Sequence, residues 1–137
     1  MKSKKGLTLM ELTIVLAILA IIALVLIPLF LLTTDRARLR GDIQSARVIQ
    51  NAIDLYRIER RQSVAGAPNV NTMVGNLASA GYINPRNVSI QTEDAVWVIR
   101  DGFIMVDISA SPGEVHRAYA TLPEDEQEYV HGIDPSK

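Results

Sequence analysis

One apolar run, from Leu12 to Leu32, constrains this chain more than any other feature of its sequence. It contains twenty-one residues, with one threonine, one proline and no charge. Because a helix that crosses a bilayer needs about 20 such residues, the length predicts a membrane span rather than a buried core helix. A cleaved secretory signal has a shorter apolar region of about 7–15 residues, followed by an A-x-A-like site. The far flank, LLTTDRARLR, offers no such site, so we expect the run to persist as a span.

Two residues are unusual for such a helix. Glu11 lies at its edge, where a lone carboxylate is costly and is either a snorkelling interfacial acid or a functional group. Pro28 lies inside the span, and a proline in a helix interior removes one backbone hydrogen bond. Pro28 is therefore interpreted as either a mild kink or a weak point in the helix.

The stretch KKGLTLMELTIVLAILAIIAL combines these residues with others at fixed spacing. A short basic leader ends in Gly6, and the apolar residue Leu7 follows it. Glu11 is the fifth residue after that glycine, and Pro28 is the twenty-second. Together these features resemble the leader-and-helix signature of type IV pilins and the related pseudopilins.

The resemblance implies a processing event and an assembly mechanism. A prepilin peptidase would cut between Gly6 and Leu7 and then N-methylate Leu7. In a helical filament of identical subunits, Glu11 would meet the new Leu7 amine of a neighbour, so that each charge offsets the other. Leu7 stands where the family usually has phenylalanine, and Ala20 stands where a helix-loosening glycine is common. Any local melting of the helix during assembly would then depend on Pro28.

The resemblance also implies a location and partners. The precursor would cross the inner membrane once, with its N-terminus in the cytoplasm. The filament would be an extracellular pilus or a periplasmic pseudopilus, built with an inner-membrane assembly platform and minor pilins. The flanking charges alone leave the orientation open, because three basic residues lie on each side of the span. They are Lys2, Lys4 and Lys5 before it, and Arg36, Arg38 and Arg40 after it.

Beyond the span, the sequence predicts that the same helix continues to about Arg61 as an amphipathic rod. Apolar residues recur three to four positions apart, which is typical of a helix with one buried face. They are Leu39, Ile43, Ala46, Ile49 or Gln50, Ile53 and Tyr56. We expect the opposite face to be solvated; it carries Arg36, Arg40, Arg47, Asp54 and Arg61.

The remainder is predicted to form a small head. A loop over residues 63–71 precedes a short helix over 72–80 that stops at Gly81, within LASAGYINP, which looks like an element of pilin αβ-loops. Asp101-Gly102 separates two β-type runs, residues 95–100 and 103–109, and predicts a hairpin with a type I′ turn. A third strand is expected near residues 88–91, and Trp97 is expected to anchor the core.

The tail suggests two short helices. Ser111 with Glu114 has the spacing of a capping box, and Thr121 with Glu124 repeats it. Four nearby acids, Glu124, Asp125, Glu126 and Glu128, resemble in position the calcium-binding C-terminal loop of secretion pseudopilins. Calcium prefers oxygen ligands wrapped in a loop, whereas these acids lie on a predicted helix without the D-x-D-x-D spacing. A solvated acidic face is therefore the preferred interpretation, and no cofactor is predicted.

These segments give an α+β fold: a long N-terminal helix on a small antiparallel sheet, with short C-terminal helices. The predicted organisation is a leader (1–6), a membrane and filament-core half of the helix (7–32), its amphipathic half (33–62) and a head (63–137). The chain has no cysteine, so no disulfide or thiol site is possible. Net charge is +3 over residues 33–62 and −6 over residues 63–137, which argues against nucleic-acid binding.

No catalytic motif surrounds His116 or His131, so the chain is interpreted as the substrate of an enzyme rather than an enzyme. The leading hypothesis is a structural subunit of a type IV pilus-like filament. A secondary hypothesis, from the charge difference between rod and head, is that the arginine face of one subunit pairs with the acidic head of its neighbour. Alternatives are the major pseudopilin of a type II secretion system, a minor or competence pilin, or a membrane-anchored binding module that never polymerises.

Overall fold

The computed structural model describes Gly6, residues 8–61 and residues 69–136. The chain divides into two compact units, residues 1–31 and residues 32–137, and each is described by itself. The first helix, α1, is continuous from Leu9 to Arg60 and contributes to both units. The predicted long helix is therefore confirmed. Most of the predicted loop over 63–71 lies outside the described residues.

The first unit consists of the apolar half of α1. Its described side chains are all exposed, including every leucine, isoleucine and valine between Leu9 and Leu31. The helix is long and apolar enough to cross a membrane, and none of its apolar window is buried by the rest of the described chain. The helical assignment continues through Pro28. A surface this apolar requires lipid or other chains to cover it.

In the second unit, α1 buries one face and leaves the other exposed. The fully buried positions Leu39, Ile43, Ala46 and Ile49 follow the predicted apolar stripe, and the neighbouring Gln50 is only partly buried. Gln50 Oε1 accepts the backbone N–H of Ile104 at 3.2 Å, so this polar position connects the helix to the sheet. The stripe is thus confirmed as the base of the head's core.

Helix α2 (Val70–Ser79) packs on that core through Val70, Met73, Val74 and Leu77. It ends as predicted at Gly81, where φ is +84°, because the backbone N–H groups of Gly81 and Tyr82 turn back to the last carbonyls of the helix. The Tyr82 hydroxyl donates to Glu59 of α1 at 2.6 Å. The GYI element therefore ties α2 to the end of the long helix.

The predicted hairpin is present. Strand β1 (Val96–Arg100) pairs antiparallel with β2 (Phe103–Asp107), and Arg100 lies opposite Phe103. Asp101 and Gly102 both have positive φ, +51° and +84°, as a type I′ turn requires. Ile104 and Val106 of β2 face the buried stripe of α1 within one hydrophobic cluster. Trp97 packs against the same cluster from the outer strand but stays partly exposed.

The third strand is not where the sequence predicted it. Residues 88–91 form no strand, and β3 is the two-residue segment Val130–His131. It pairs parallel with β2, with Val130 beside Val106, so the sheet is mixed rather than antiparallel, in the order β1-β2-β3. A turn of 3₁₀-helix (Pro85–Asn87) precedes residues 88–91.

A buried carboxylate holds the end of the segment where a third strand was expected. Asp42 of α1 is fully buried, and its two oxygens accept the backbone N–H groups of Gln91 at 2.8 Å and Thr92 at 2.9 Å. Those donors are consequently satisfied by the helix and not by a neighbouring strand. The apolar stripe thus contains one charged residue that fixes the segment before β1, which sequence reasoning did not single out.

Two short helices follow as predicted, α3 (Gly113–Tyr119) and α4 (Glu124–Gln127), but both predicted capping boxes are wrong. Neither helix has a side-chain cap. The buried Ser111 hydroxyl instead donates to the Glu93 carbonyl at 2.7 Å, across eighteen residues of sequence. The Thr121 hydroxyl donates back to the Ala118 carbonyl, so both side chains fix tertiary or turn contacts instead.

Candidate processing and assembly site

The predicted cleavage site is only partly described. Gly6 is exposed, as a peptide bond offered to a protease should be, whereas Leu7 and the lysines before it lie outside the described residues. The cleavage and methylation assignments to Gly6 and Leu7 therefore stay predictions. The geometry that the structure does give begins at Thr8 and includes Glu11.

Glu11 forms a reciprocal pair with Thr8 at the start of α1. Its Oε2 accepts the Thr8 backbone N–H at 3.0 Å and the Thr8 hydroxyl at 3.2 Å. In return the Thr8 Oγ accepts the Glu11 backbone N–H at 3.2 Å. Because Thr8 is the N-cap and Glu11 the third helical residue, this is a capping box that satisfies two of the otherwise unpaired donors of the helix terminus.

The capping box gives Glu11 a local role that sequence reasoning missed. The signal was present, since T-x-x-E immediately before an apolar run is the sequence pattern of this motif. A carboxylate in the first turn also interacts favourably with the positive end of the helix dipole. Part of the electrostatic cost of placing an acid at this edge is therefore offset within the subunit itself.

The capping box leaves the charge of Glu11 without a cationic partner in the part of the chain that the structure describes. Its Oε1 receives no hydrogen bond there, and no ion pair reaches the carboxylate. Pro28 is not brought near it, since seventeen residues of helix separate them by about 25 Å along the axis. Of the three predicted assembly residues, Glu11 and Pro28 thus occupy different parts of the apolar helix, and Leu7 lies outside the described residues.

Comparison with known proteins bears on this end of the chain. A family model described as the prokaryotic N-terminal methylation motif matches residues 1–27. These residues carry the type IV pilin and pseudopilin signature. No curated protein and no solved structure matches the chain. The match covers Gly6, Leu7 and Glu11 and stops one residue before Pro28.

The pilin signature supports a methylated, prepilin-peptidase substrate with a transmembrane helix. Proteins with this signature are structural, pilin-type subunits and not an enzyme family. The signature and the exposed apolar helix together fit a membrane-anchored precursor.

The arginine face of α1 differs from its prediction. Arg40 Nε binds Glu126 Oε2 at 2.8 Å, and Arg47 lies 3.6 Å from Asp125 and 4.6 Å from the centre of the Tyr129 ring. Part of this face is therefore covered by the segment around α4, and the expectation of a wholly solvated face is wrong. Two of the four acids considered for calcium are engaged with arginines.

No cluster of three or more potential metal ligands occurs among the residues that the structure describes. The buried His116 acts structurally, since its Nδ1 accepts the backbone N–H of Asp134 at 3.2 Å.

In the C-terminal part of the head, the pKa of the Asp107 carboxyl is shifted. Burial raises the pKa of Asp107, but hydrogen bonds from the Ser109 hydroxyl and N–H outweigh this, and His131 and Arg100 add favourable charge. The net result is a pKa below the ordinary value. Gly132, with φ +75°, packs so closely that a Cβ there would collide with Asp107 and lie 2.8 Å from Ser109. This tight contact holds the chain next to β3.

Proposed function

We propose that this chain is the structural subunit of a type IV pilus-like filament, cut by prepilin peptidase after Gly6 and polymerised through α1. The observation that supports it most is the methylation motif over residues 1–27, with an acid at the fifth position after the glycine. The proposal requires that Leu7 becomes a methylated amine and that the apolar half of α1 leaves the bilayer for a bundle of like helices.

The geometry of Glu11 supports its proposed assembly role. Oε2 is occupied by the capping box, which fixes the side chain, while Oε1 stays open to a second donor. The Leu7 amine of a neighbouring subunit is such a donor, and a charged pair in an apolar bundle offsets much of the cost of burying either charge. The capping box would then orient the carboxylate before its partner arrives.

The apolar half of α1 supports polymerisation rather than simple anchoring. A single-span anchor needs only a lipid-facing helix, and this helix meets that requirement. Anchoring does not explain why Glu11 stands at a fixed distance from the proposed cleavage glycine, Gly6. Assembly does explain it, because cleavage after Gly6 creates the positive amine that would neutralise the Glu11 carboxylate. The spacing of Glu11 from Gly6 therefore favours a filament subunit over a membrane-anchored binding module.

The decisive test is the mature N-terminus. Mass spectrometry of the protein from its host should find N-methyl-Leu7 as the first residue, and a Gly6→Val variant should retain its leader. A matched Gly75→Val variant changes an exposed glycine in α2 and should still be processed normally. An intact leader in the wild-type protein would favour the anchored module and refute the proposal.

The pseudopilin of a type II secretion system and a minor pilin are the alternatives within this proposal. Electron microscopy of sheared surface material separates them. Long filaments made of this chain support a major pilin, sparse incorporation into filaments of another subunit supports a minor pilin, and filaments confined to the periplasm support a pseudopilus.

A further inference from the structure

The arginines that follow the apolar run have an unexplained position. Positive residues normally concentrate on the cytoplasmic flank of a span, yet Arg36, Arg38 and Arg40 lie on the flank that the proposed orientation places outside the cytoplasm. Arg40 is explained by the head, because its Nε donates to Glu126 at 2.8 Å. Among the residues that the structure describes, Arg36 has no ion pair and Arg38 has only the local one with Asp35.

The contacts of Arg36 and Arg38 leave both guanidinium groups able to form further hydrogen bonds and ion pairs. Arg38 is about half exposed, and its ion pair with Asp35 is long, at 3.6 Å. The Arg36 side chain is partly exposed, and its Nε, which is buried and therefore not itself open to lipid, has no hydrogen-bond partner in the described part of the chain. With Asp35 included, the three residues carry one net positive charge.

If residues 12–32 fill the hydrocarbon core, helix geometry puts Arg36 within the headgroup layer and Arg38 just beyond it. Residues 12–32 span about 32 Å at 1.5 Å per residue, which matches a hydrocarbon core of about 30 Å. Arg36 and Arg38 then start about 6 and 9 Å beyond its edge, close to a headgroup layer of about 5–8 Å. Side chains on a helix lean towards its N-terminus, and arginine snorkels, so both guanidinium groups can point back to the bilayer surface.

We propose that Arg36 and Arg38 form a lipid collar that binds the phosphate groups of anionic phospholipids while the subunit is in the membrane. Guanidinium binds phosphate through two parallel hydrogen bonds, which suits it to this ligand better than a lysine. Each arginine near an anionic surface contributes about 1 kcal/mol, or about fivefold in local lipid preference. The inference requires only the span and not polymerisation.

The absence of cysteine permits a direct test. The full chain with Ala37→Cys, an exposed position between the two arginines, is labelled with a fluorophore and reconstituted in zwitterionic vesicles. Phospholipids brominated near the top of the acyl chain are added at equal mole fraction, either anionic phosphatidylglycerol or zwitterionic phosphatidylcholine. We expect several-fold stronger quenching by the anionic lipid, reduced by high salt but only weakly by inorganic phosphate at matched ionic strength.

The collar variant Arg36→Gln/Arg38→Gln should bring the ratio of quenching by the anionic lipid to quenching by the zwitterionic lipid close to one. The variant Arg36→Lys/Arg38→Lys should retain part of the preference for the anionic lipid. The matched control Arg57→Gln/Arg61→Gln removes the same charge 19 to 25 residues further along the chain and should leave the preference unchanged. Circular dichroism verifies that each variant is folded. Equal quenching by both lipids in the wild type overturns the proposal. An unchanged preference in the collar variant, even with loosened filaments, also overturns it and assigns these arginines to contacts between subunits.

Discussion

The two halves of α1 differ in what covers their apolar side chains. Between residues 9 and 31 every described side chain is exposed, all but Glu11 and Thr13 are apolar, and nothing in the described part of the chain covers them. Between residues 39 and 56 one face is buried by the head, and polar residues, Asp42 and Gln50, fix what packs there. The first half depends on lipid or on other copies, whereas the second half is completed within the chain.

Mutations in the two halves of α1 should affect different properties of the protein. Changes in the first half should affect assembly without altering the stability of the head, and changes in the second half should do the reverse. The exceptions would show where the two halves are coupled.

The largest expected effect is at Glu11. Glu11→Ala should insert in the membrane normally but reduce filament yield at least tenfold, because the neighbour's amine would lose its partner in an apolar setting. Glu11→Gln is the matched variant, since its amide oxygen can still accept the Thr8 N–H while the charge is gone. Immunoblots of sheared surface material measure assembly. Abundant normal filaments from both variants would show that the charge is dispensable.

Asp42→Ala should be the most damaging polar substitution in the second half. It leaves the buried N–H of Thr92 and the partly buried N–H of Gln91 without their acceptors, which costs about 1–3 kcal/mol for Thr92 and less for Gln91. Chemical unfolding of the detergent-solubilised full chain measures the loss of stability, with the half-exposed Asp54→Ala as control. A loss for Asp42→Ala no larger than the control's would mean that residues 88–94 are held by other contacts.

Two glycines offer a matched pair in the head. Gly132→Ala forces a Cβ against Asp107 and Ser109 at positive φ and should destabilise by about 2 kcal/mol or more. Gly75→Ala lies in α2 with no atom near the new methyl and should stabilise by about 0.5–1 kcal/mol. Thermal unfolding should therefore move in opposite directions, and a shared direction would contradict the packing around Gly132.

The ion pairs between α1 and α4 should contribute less. A double-mutant cycle on Arg40 and Glu126, which are 2.8 Å apart and partly exposed, should give a coupling of about 0.5–1 kcal/mol that falls with added salt. The same cycle on Arg47 and Asp125, 3.6 Å apart and more exposed, should give about zero. A larger coupling for the second pair would reverse this ranking.

The smallest effect should be the pH dependence contributed by Asp107. Its folded pKa lies below the unfolded value of about 3.9, so its contribution is fully present above that pH and is lost as pH falls through the folded pKa. The melting-temperature difference between wild type and Asp107→Asn should accordingly shrink from pH 6 to pH 2.5. A melting-temperature difference that stays constant over this pH range would show that Asp107 does not contribute to the loss of stability in acid.

Local pattern predicted most elements of this fold. Residues close in sequence determine each of these elements: the span, the amphipathic stripe, the helix stop at Gly81 and the Asp101-Gly102 hairpin. Helix periodicity and the turn residues that adopt positive φ can be recognised in the sequence without knowledge of distant contacts. The T-x-x-E pattern at Thr8 and Glu11 was equally local and was overlooked because Glu11 was considered only as a partner for another chain. The two other capping patterns were wrong because distant backbone groups competed for Ser111, and a turn carbonyl for Thr121.

By itself, the sequence determined that the chain has a pilin-type processing signature and an apolar helix that it cannot cover. Those properties follow from composition and spacing along one helix. Only the tertiary structure decided that Asp42 holds residues 91–92, that the third strand is the two-residue β3, and that Arg40 pairs with Glu126. Each of these joins residues 24 to 86 positions apart, and no local periodicity encodes which distant donor will meet which acceptor.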